Sequence, residues 1–300
     1  MSRIHIVTDS TAHFTDPTFP ARHQITIVPL TIHVGKQTFR DGVDITTGQL
    51  FQRVKPNGTP LPSAASPTAE QFAAVYDELH KTGDQIISIH ASGKLSHVPH
   101  NARLGADNFQ GRCKIIVIDS LSTSIGLGVL VEAAALAVER GESLDEIVKL
   151  VRGMVPRLYT VFFIETMDYL AQAGRIGKAQ AVLGQMLGIK PFLTLEEGDI
   201  VPMEKVRTRA QAIEKMVEFV IEFSDIEQMG ILQSSPHHTE ATRSLLEQLA
   251  VEFPGREWPV VTYGPALATL LGPDAMGVII YEGQSDPESS SISDDNEWED

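Results

Sequence analysis

Residues 85–96 read QIISIHASGKLS, a short apolar run that passes into a loop with one glycine and two serines. A run of β-branched residues bounded by Gly and Ser predicts a buried strand over Gln85–His90. The loop begins directly after the last residue of that strand. This change from an apolar strand to small polar residues recurs along the first half of the chain, and the repeat indicates the fold of that half.

The same change follows two other apolar strands, at residues 4–8 and at Lys114–Asp119. Amphipathic helices are predicted at residues 68–81 and 126–140, and the first has Thr68 and Gln71 at the positions of a capping box. Short apolar strands that alternate with helices are typical of βαβ units and a parallel sheet. In such sheets, ligands bind where loops leave the carboxyl ends of the strands.

The pattern changes near Arg157, which predicts a second domain. Beyond it we predict strands at residues 160–164, 190–195, 229–233, 258–263 and 277–281, and helices at residues 167–173, 180–187, 210–223 and 239–253. Residues 196–199 (EEGD) are typical of a hairpin turn. The predicted division is therefore a first domain over residues 1–158, a second over 159–282 and a tail over 283–300.

The charge balance restricts the possible partners. The chain has 39 acidic and 24 basic residues, a formal net charge of −15. This argues against a general nucleic-acid binder, since phosphate contacts need a basic surface. Eight of the acids lie in residues 282–300, which contain no Lys or Arg, so the rest carries about −7. That acidic segment predicts a disordered, solubilising tail.

Cysteine usage and hydropathy predict a cytoplasmic protein. The single cysteine, Cys113, excludes an internal disulfide and is typical of a reducing compartment. It begins an apolar run, so we expect an inert thiol in a buried strand. No signal-type apolar segment precedes the first strand, and no apolar run approaches the ~20 residues of a membrane span.

Four loop segments of the first domain carry small hydroxylated residues. Hydroxyls beside exposed backbone N–H groups form a donor-rich pocket for an oxyanion. The alternative is that these residues only cap the helices that follow, which applies most strongly to Asp9 and Asp119. It applies less to Ser92 and Ser96, which lie in a glycine-bearing loop after a buried strand. The segments are residues 9–11, 63–66, 91–96 and 119–120.

Five basic residues are concentrated in two short segments of an otherwise acidic chain. Such a cluster indicates a place where an anion is held or a partner docks. The alternative is a solvated, salt-bridged surface, which describes most charge clusters. The residues are Arg175, Lys178, Lys205, Arg207 and Arg209.

Several other kinds of site find little support in the sequence. No Walker pattern and no Gly-x-Gly-x-x-Gly fingerprint is present. Three histidines (His90, His97 and His100) lie close together, but Pro99 separates the last two and no acidic ligand is near, so we predict no metal site. Ser92 with His90 two residues earlier leaves a serine esterase as a remote alternative, without the usual nucleophile elbow.

Taken in order, short motifs along the chain are similar to those of the DegV family, over residues 3 to about 282. They are VTDST (7–11), PL with FRDG (29–30, 39–42), SAASP (63–67), SIHASGKLS (88–96), VIDS (117–120), GRI (174–176), KP (190–191) and KVRT (205–208). This family includes the fatty-acid-binding subunits of bacterial fatty acid kinase. The resemblance implies an α/β fold of two domains, a three-layer α/β/α parallel-sheet domain followed by a two-layer α/β domain with a mixed sheet.

The resemblance also implies a function. A long-chain fatty acid would lie in an apolar tunnel, with its carboxylate held between the domains. The family is not itself catalytic, and no cofactor or metal is implied. It presents the carboxylate to a separate ATP-dependent kinase subunit, which forms an acyl phosphate for phospholipid synthesis.

By position, the resemblance implies roles for individual residues. Ser92 matches a hydroxyl that bonds the carboxylate, Ser96 lies in the same loop, and Arg175 matches an arginine near the head group. Arg207 matches a basic residue that engages the kinase subunit or the phosphorylated product, and Lys205 and Arg209 flank it. The apolar residues 182–187 and 192–195 are expected to line the tunnel.

The chain departs from the family pattern around the expected head group. Ala64 and Ala65 stand where the family usually has Thr-Ser, so that Ser63 or Ser66 would have to supply the hydroxyl. Residues 97–101 (HVPHN) differ from the usual loop, and Leu270 stands where the family usually has a histidine. These departures leave open a second interpretation, a binder of another amphipathic carboxylate or lipid.

Overall fold

The computed structural model describes residues 3–54, 60–80, 84–175 and 190–283. Its first half is built on a four-stranded sheet in which every neighbouring pair is parallel. The strand order is β2-β1-β6-β7. These strands are β1 (Ile4–Asp9), β2 (Thr26–Val28), β6 (Gln85–His90) and β7 (Lys114–Asp119). The parallel sheet predicted from alternating strands and helices is confirmed.

A small antiparallel sheet extends this half beyond the ends of β1 and β2. It has the order β4-β3-β5 and brings the segment after residue 60 next to the loop that follows β2. Its strands are β3 (Thr31–Val34), β4 (Gln37–Arg40) and β5 (Ser63–Ala65). Ser63 and the two alanines after it are thus fixed in a strand.

Helices pack on the parallel sheet in two groups, α3 with α4 and α5 with α6. Thr68 and Gln71 form the capping box predicted for α3. Residues 98–107 form a helix that the sequence pattern does not predict; Pro99 is tolerated there because it lies in the first turn. The helices are α1 (Phe19–Arg22), α2 (Thr47–Arg53), α3 (Ala69–Leu79), α4 (Val98–Asp107), α5 (Ser124–Glu139) and α6 (Leu144–Met154).

The second half is built on a six-stranded mixed sheet with the order β10-β9-β8-β13-β11-β12. Only β11 and β12 run parallel; the other neighbours are antiparallel. The strands are β8 (Leu158–Phe163), β9 (Lys190–Glu196), β10 (Asp199–Val206), β11 (Ile226–Gln233), β12 (Val260–Thr262) and β13 (Met276–Glu282). Its helices are α7 (Asp168–Gln172), α8 (Arg209–Ile221), α9 (Glu240–Glu252) and α10 (Pro265–Leu271).

Helix α5 joins the two halves. It contacts β1 and β6 of the parallel sheet and β8 and β13 of the mixed sheet. A helix enclosed by two sheets must be apolar on nearly all sides, and residues 124–131 of α5 are all buried. Gly230 on β11 permits the close approach, because a Cβ there would lie 2.4 Å from Ile125 Cδ1.

The two sheets confirm the predicted α/β fold class. Helices α8 and α9 cover the mixed sheet in a core separate from that of the parallel sheet. The division at residue 158 stays a prediction, although β8 begins there. The predicted helix at 180–187 and the acidic segment from 284 onward lie outside the described residues. Cys113 is half-buried at the edge of β7 rather than in the core, since the strand begins one residue later.

Candidate functional site

A cavity of about 400 Å³ opens at the carboxyl ends of the parallel strands. The loops after β1, β2, β6 and β7 supply one wall, and β5, the end of α7 and helix α10 supply the others. Its lining residues are Thr11, Leu30, Pro62, Ser63, Ala64, Ala65, Ser66, Ala91, Leu95, Ser96, His97, Asn101, Thr123, Gln172, Ala173, Arg175, Ala266, Leu267, Thr269 and Leu270.

The cavity has a mouth and a buried end, and the charged and amide side chains of the lining lie at the mouth. The exposed or half-buried residues that form the mouth are Ser63, Ala64, Ala65, Ser66, Ser96, His97, Asn101, Gln172, Ala173, Arg175 and Leu270. Buried residues form the other end: Thr11, Ala91, Leu95, Thr123, Ala266, Leu267 and Thr269. The arrangement can hold a polar group near solvent and an apolar group inside.

A narrow channel, entirely apolar in surface, adjoins the cavity where the mixed sheet faces α10 and the loops after β6 and β7. The two spaces share Leu95, Thr123, Leu267 and Leu270, so these residues form the junction. The channel has only about 20 Å³ of free space. Its further walls include Phe162, Leu195, Ile200, Leu232 and Ile279. Of the two predicted tunnel segments, residues 192–195 contribute Leu195, whereas 182–187 lie outside the described residues.

A fully buried chain of hydrogen bonds supports the floor of the cavity. Tyr76 Oη lies 2.9 Å from Ser88 Oγ, which lies 2.6 Å from His90 Nε2, and His90 Nδ1 lies 3.1 Å from Asp9 Oδ2. Burial alone would raise the pKa of Asp9, but the hydrogen bond and charge of His90 and further donors hold it below its usual value. Asp9 is therefore an anion in the floor.

Asp9 fixes two cavity-lining segments. Its carboxylate accepts the backbone N–H and the hydroxyl of Thr11 at 3.0 and 2.5 Å, and the backbone N–H of Ala91 at 3.0 Å. The alternative for Asp9, a cap on the following helix, is wrong, because no helix begins at these residues and the next one starts at Phe19. The residues that Asp9 holds belong to the lining of the cavity.

Two further side chains fix α10 against the first half of the chain. His13 Nε2 accepts the backbone N–H of Gly264 at 2.7 Å, and Asp41 Oδ1 accepts that of Ala266 at 3.0 Å. Burial lowers the pKa of His13 to about 4 and raises the pKa of Asp41 to about 6. The imidazole is therefore neutral near pH 7, as its acceptor role at Nε2 requires.

Of the predicted ligand-binding residues, Ser63, Ser96 and Arg175 line the cavity. Arg175 Nη1 donates to Lys94 O at 2.7 Å, whereas its Nε is buried and has no acceptor among the residues that the structure describes. A buried donor without an acceptor costs about 1–3 kcal/mol. Arg175 therefore brings a positive charge to the cavity lining, and an anion would reach its Nε only after a local rearrangement.

Ser92 lies outside the cavity lining. It is fully buried, and its hydroxyl donates to Gly198 O at 2.7 Å in the turn between β9 and β10. Gly198 has φ +80°, and a Cβ there would lie 2.3 Å from Ser92 Oγ. In this conformation Ser92 links the two halves of the chain, and a carboxylate could reach its proton only by displacing Gly198.

The same geometry bears on the esterase alternative. A serine nucleophile needs a general base within hydrogen-bond reach. His90 instead bonds Ser88 and Asp9, and Ser92 Oγ bonds Gly198 and the N–H of Lys94. Among the described residues, the Ser92 hydroxyl has no histidine partner.

The three residues predicted to meet a partner have different surroundings. Lys205 on β10 and Arg207 just after it are exposed, and within the described ranges neither side chain has an ion pair or hydrogen bond. Arg209 forms an ion pair with Glu165, which also pairs with Lys190. Burial alone would raise the pKa of Glu165, but the hydrogen bonds from Lys190 and Arg209 lower it. Arg209 fits the salt-bridge interpretation.

The structure adds lining residues to those that the sequence pattern singled out. Asn101 Nδ2 donates to Pro67 O and Gln172 Nε2 to Leu61 O, both at 2.8 Å. These two hydrogen bonds attach α4 and α7 to the segment before α3, which forms part of the mouth of the cavity. The sequence gives little indication of this role, because polar amide side chains on helices are common.

The described residues contain neither a cluster of metal ligands nor a membrane-spanning helix. No group of three or more His, Cys, Asp or Glu side chains there could hold a metal ion. None of the helices in those ranges is long and apolar enough to cross a membrane.

Comparisons with known proteins agree on one family. The family model described as "Uncharacterised protein, DegV family" matches residues 3–283. A DegV domain-containing protein of Streptomyces coelicolor is 34% identical over 290 residues, covering 93% of this chain and 99% of the relative.

Solved structures give the same result. A DegV family protein from Thermus thermophilus, described by its fatty acid binding, is 31% identical with a TM-score of 0.82, covering 93% of this chain and 99% of that one. DegV from Bacillus subtilis, described as a fatty acid binding protein, is 27% identical with a TM-score of 0.81, covering 94% and 100%.

Proposed function

This chain belongs to the DegV family, and we propose that it binds a long-chain fatty acid, with the carboxylate in the cavity and the acyl chain in the channel. The observation that carries the proposal is that a cavity with polar side chains at its mouth shares four lining residues with a narrow apolar channel against the mixed sheet. The fatty acid binding described for the Thermus and Bacillus relatives supports it.

Apolar burial supplies enough gross affinity for such a ligand. A chain of roughly 16 carbons gains about 0.8 kcal/mol per buried CH₂, or more than about 10 kcal/mol in total. The cavity of about 400 Å³ is in the range of small-molecule sites. The channel, with about 20 Å³ free, is too narrow for an acyl chain. We therefore propose that the ligand widens it by displacing the β9–β10 hairpin, which supplies Leu195 and Ile200.

The head group would be held by donors at the mouth. Arg175 Nε has no acceptor among the described residues, and the hydroxyls of Ser63 and Ser96 line the same space. A contact between Ser92 and the carboxylate stays a prediction, and it would follow release of Gly198. The second interpretation, a different amphipathic carboxylate or lipid, is favoured by Ala64, Ala65 and Leu270, which offer the head group no hydrogen bond.

We further propose that the protein presents the bound carboxylate to a separate ATP-dependent kinase subunit, which forms the acyl phosphate. Lys205 and Arg207 are the proposed contacts with this subunit or with the new phosphate, because both are exposed and unpaired within the described residues. Arg209, held by Glu165, would contribute by supporting this surface. The protein itself would not be an enzyme and would need no cofactor.

The test is identification of the bound lipid. Protein expressed in bacteria is extracted under denaturing conditions, and the lipids are measured by mass spectrometry; we expect near-stoichiometric fatty acid. Delipidated protein should take up palmitate or oleate. Leu195→Trp, which fills the channel, should prevent uptake, whereas Leu136→Trp, on the exposed side of α5, should not.

No fatty acid in the extract, together with no uptake by the delipidated protein, would refute the proposal. A different stoichiometric lipid in the extract would favour the second interpretation. For the kinase partner, the measurement is acyl phosphate formation by the isolated kinase subunit with and without this protein. No stimulation would refute that part alone.

A further inference from the structure

Two of the three hydroxyls at the buried end of the cavity, those of Thr11 and Thr269, cannot donate to an anion. Thr11 Oγ1 already gives its hydrogen to Asp9, at 2.5 Å, and Thr269 Oγ1 gives its hydrogen to Ala266 O, at 2.7 Å. Both therefore present only lone pairs to the cavity. The Asp9 carboxylate behind Thr11 is itself paired with His90 Nδ1 at 3.1 Å. Among the described residues, only the Thr123 hydroxyl at this end has no hydrogen-bond acceptor, so this end offers a carboxylate few donors.

The adjoining wall is no better suited to an anion. Ala64 and Ala65 on β5 and Leu270 on α10 line the cavity without a polar side-chain atom. Leu270 also stands at the junction with the channel, so it favours an acyl chain there. More side-chain donors for the head group lie nearer to solvent.

Ser66 and His97 form a pair at the mouth that meets this need. The backbone N–H of His97 donates to Ser66 Oγ at 3.1 Å, so the Ser66 hydroxyl keeps its own hydrogen for another acceptor. The imidazole of His97 lines the cavity, and it has no hydrogen bond or ion pair within the part of the chain that the structure describes. Arg175 lies in the same lining, with its Nε buried and without an acceptor there.

We propose that Ser66 and His97 determine head-group specificity by holding a carboxylate at the mouth of the cavity, an inference that rests on the proposed fatty acid binding. Ser66 donates its hydroxyl and His97 a ring N–H, beside Arg175. The acyl chain then points past Leu270 into the channel. The ligand class is an anionic acyl lipid with its head group near solvent, where a second protein can reach it.

The experiment compares one fatty acid with its methyl ester, which has the same chain and no charge. Affinities of both are measured by competition with a fluorescent fatty acid, in the wild type and in Ser66→Ala and His97→Ala. Each variant should lower the preference for acid over ester by about tenfold, the effect of losing one hydrogen bond to a charged group. Ester affinity should stay the same.

Two controls separate the head-group role from other effects. His100→Ala should leave the preference unchanged, because His100 is exposed and lies outside the cavity lining. Ser66→Thr keeps the hydroxyl and should retain most of the preference, which distinguishes a lost donor from a disturbed mouth. An unchanged acid preference in both alanine variants, with the acid still bound, would overturn this inference alone. Failure of the wild type to bind either compound would refute the proposed function instead.

Discussion

Replacing Ser92 by alanine tests whether its hydroxyl holds the hairpin β9–β10 against the first half of the chain. The hydroxyl donates to Gly198 O at 2.7 Å, and its oxygen accepts the backbone N–H of Lys94 at 3.1 Å. Ser92 and Gly198 are both buried. The substitution therefore leaves a buried carbonyl without its donor.

The size of the effect follows from that burial. An ordinary hydrogen bond contributes only about 0.5–1.5 kcal/mol, but a partner left buried and unsatisfied costs about 1–3 kcal/mol. We expect Ser92→Ala to lower the free energy of unfolding by about 1–3 kcal/mol. At about 2–4 °C per kcal/mol, the melting temperature of the delipidated protein should fall by roughly 2–12 °C.

The assay is thermal unfolding of delipidated protein, with Ser63→Ala as the control. Ser63 is exposed, and no hydrogen bond of its hydroxyl occurs in the described part of the chain, so its loss should change stability by less than about 0.5 kcal/mol. An unchanged melting temperature for Ser92→Ala would refute the role of Ser92 as a link to Gly198. The fatty acid affinity of Ser92→Ala decides whether Ser92 also contacts the carboxylate, since loss of that contact should lower the affinity by about tenfold or more.

Gly198 provides a second check on the same contact. Gly198→Ala should destabilise the protein, because φ is +80° and the new Cβ would lie 2.3 Å from Ser92 Oγ. In the Ser92→Ala background the nearest obstacle is absent, so the same substitution should cost less, a coupling of about 0.5–3 kcal/mol. Additive costs would show that the two residues act independently.

Three other perturbations test separate parts of the structure. Burial raises the pKa of Asp41 from 3.8 to about 6, so the folded chain binds one more proton than the unfolded chain between these pH values. The free energy of unfolding, measured by urea and compared with that of Asp41→Asn, should therefore rise by up to ~1.4 kcal/mol per pH unit as the pH falls from 6 to 4. A difference between the two proteins that does not change with pH would contradict this. Arg209→Ala should lower the free energy of unfolding by about 1 kcal/mol through the loss of its ion pair with Glu165. Arg207→Ala should leave stability and lipid affinity intact and impair acyl phosphate formation. Equal loss of lipid binding and acyl phosphate formation in Arg207→Ala would contradict the proposed role of Arg207 as a partner contact. Leu270→Asn places an amide at the junction of the cavity and the channel, and it should weaken the binding of fatty acid and methyl ester alike in the competition assay. Weaker binding of the acid alone would instead place the head group at Leu270.

Much of the cavity's position was predictable from local sequence. Hydroxyl residues follow β1 and β6, and the carboxyl ends of parallel strands lie at one edge of a sheet, so Thr11 and Ser96 were expected close together. The anionic state of Asp9 in the floor was not predictable, because His90 is 81 residues away in sequence.

Other parts depended on contacts between distant residues. Ser92 and Ser96 occupy one loop, yet Ser92 bonds Gly198, which is 106 residues away, and Ser96 lines the cavity. The basic cluster divides similarly, since Arg209 has Glu165 as a partner 44 residues away, whereas Arg207 has no side-chain partner in the described ranges. Adjacent residues of one type thus take different roles according to what folds against them.

Local sequence patterns specify the parallel sheet, the change of pattern near Arg157 and the hydroxyl-rich loops at the strand ends, because hydrophobic period and turn residues act over a few positions. Which hydroxyl hydrogens in those loops remain available to a ligand depends on the tertiary structure. Thr11 and Thr269 have given theirs to Asp9 and Ala266, whereas Ser66 keeps its own because the His97 amide supplies the donor. A hydroxyl has one hydrogen to donate, so the side that binds an anion depends on neighbours that only the fold brings together.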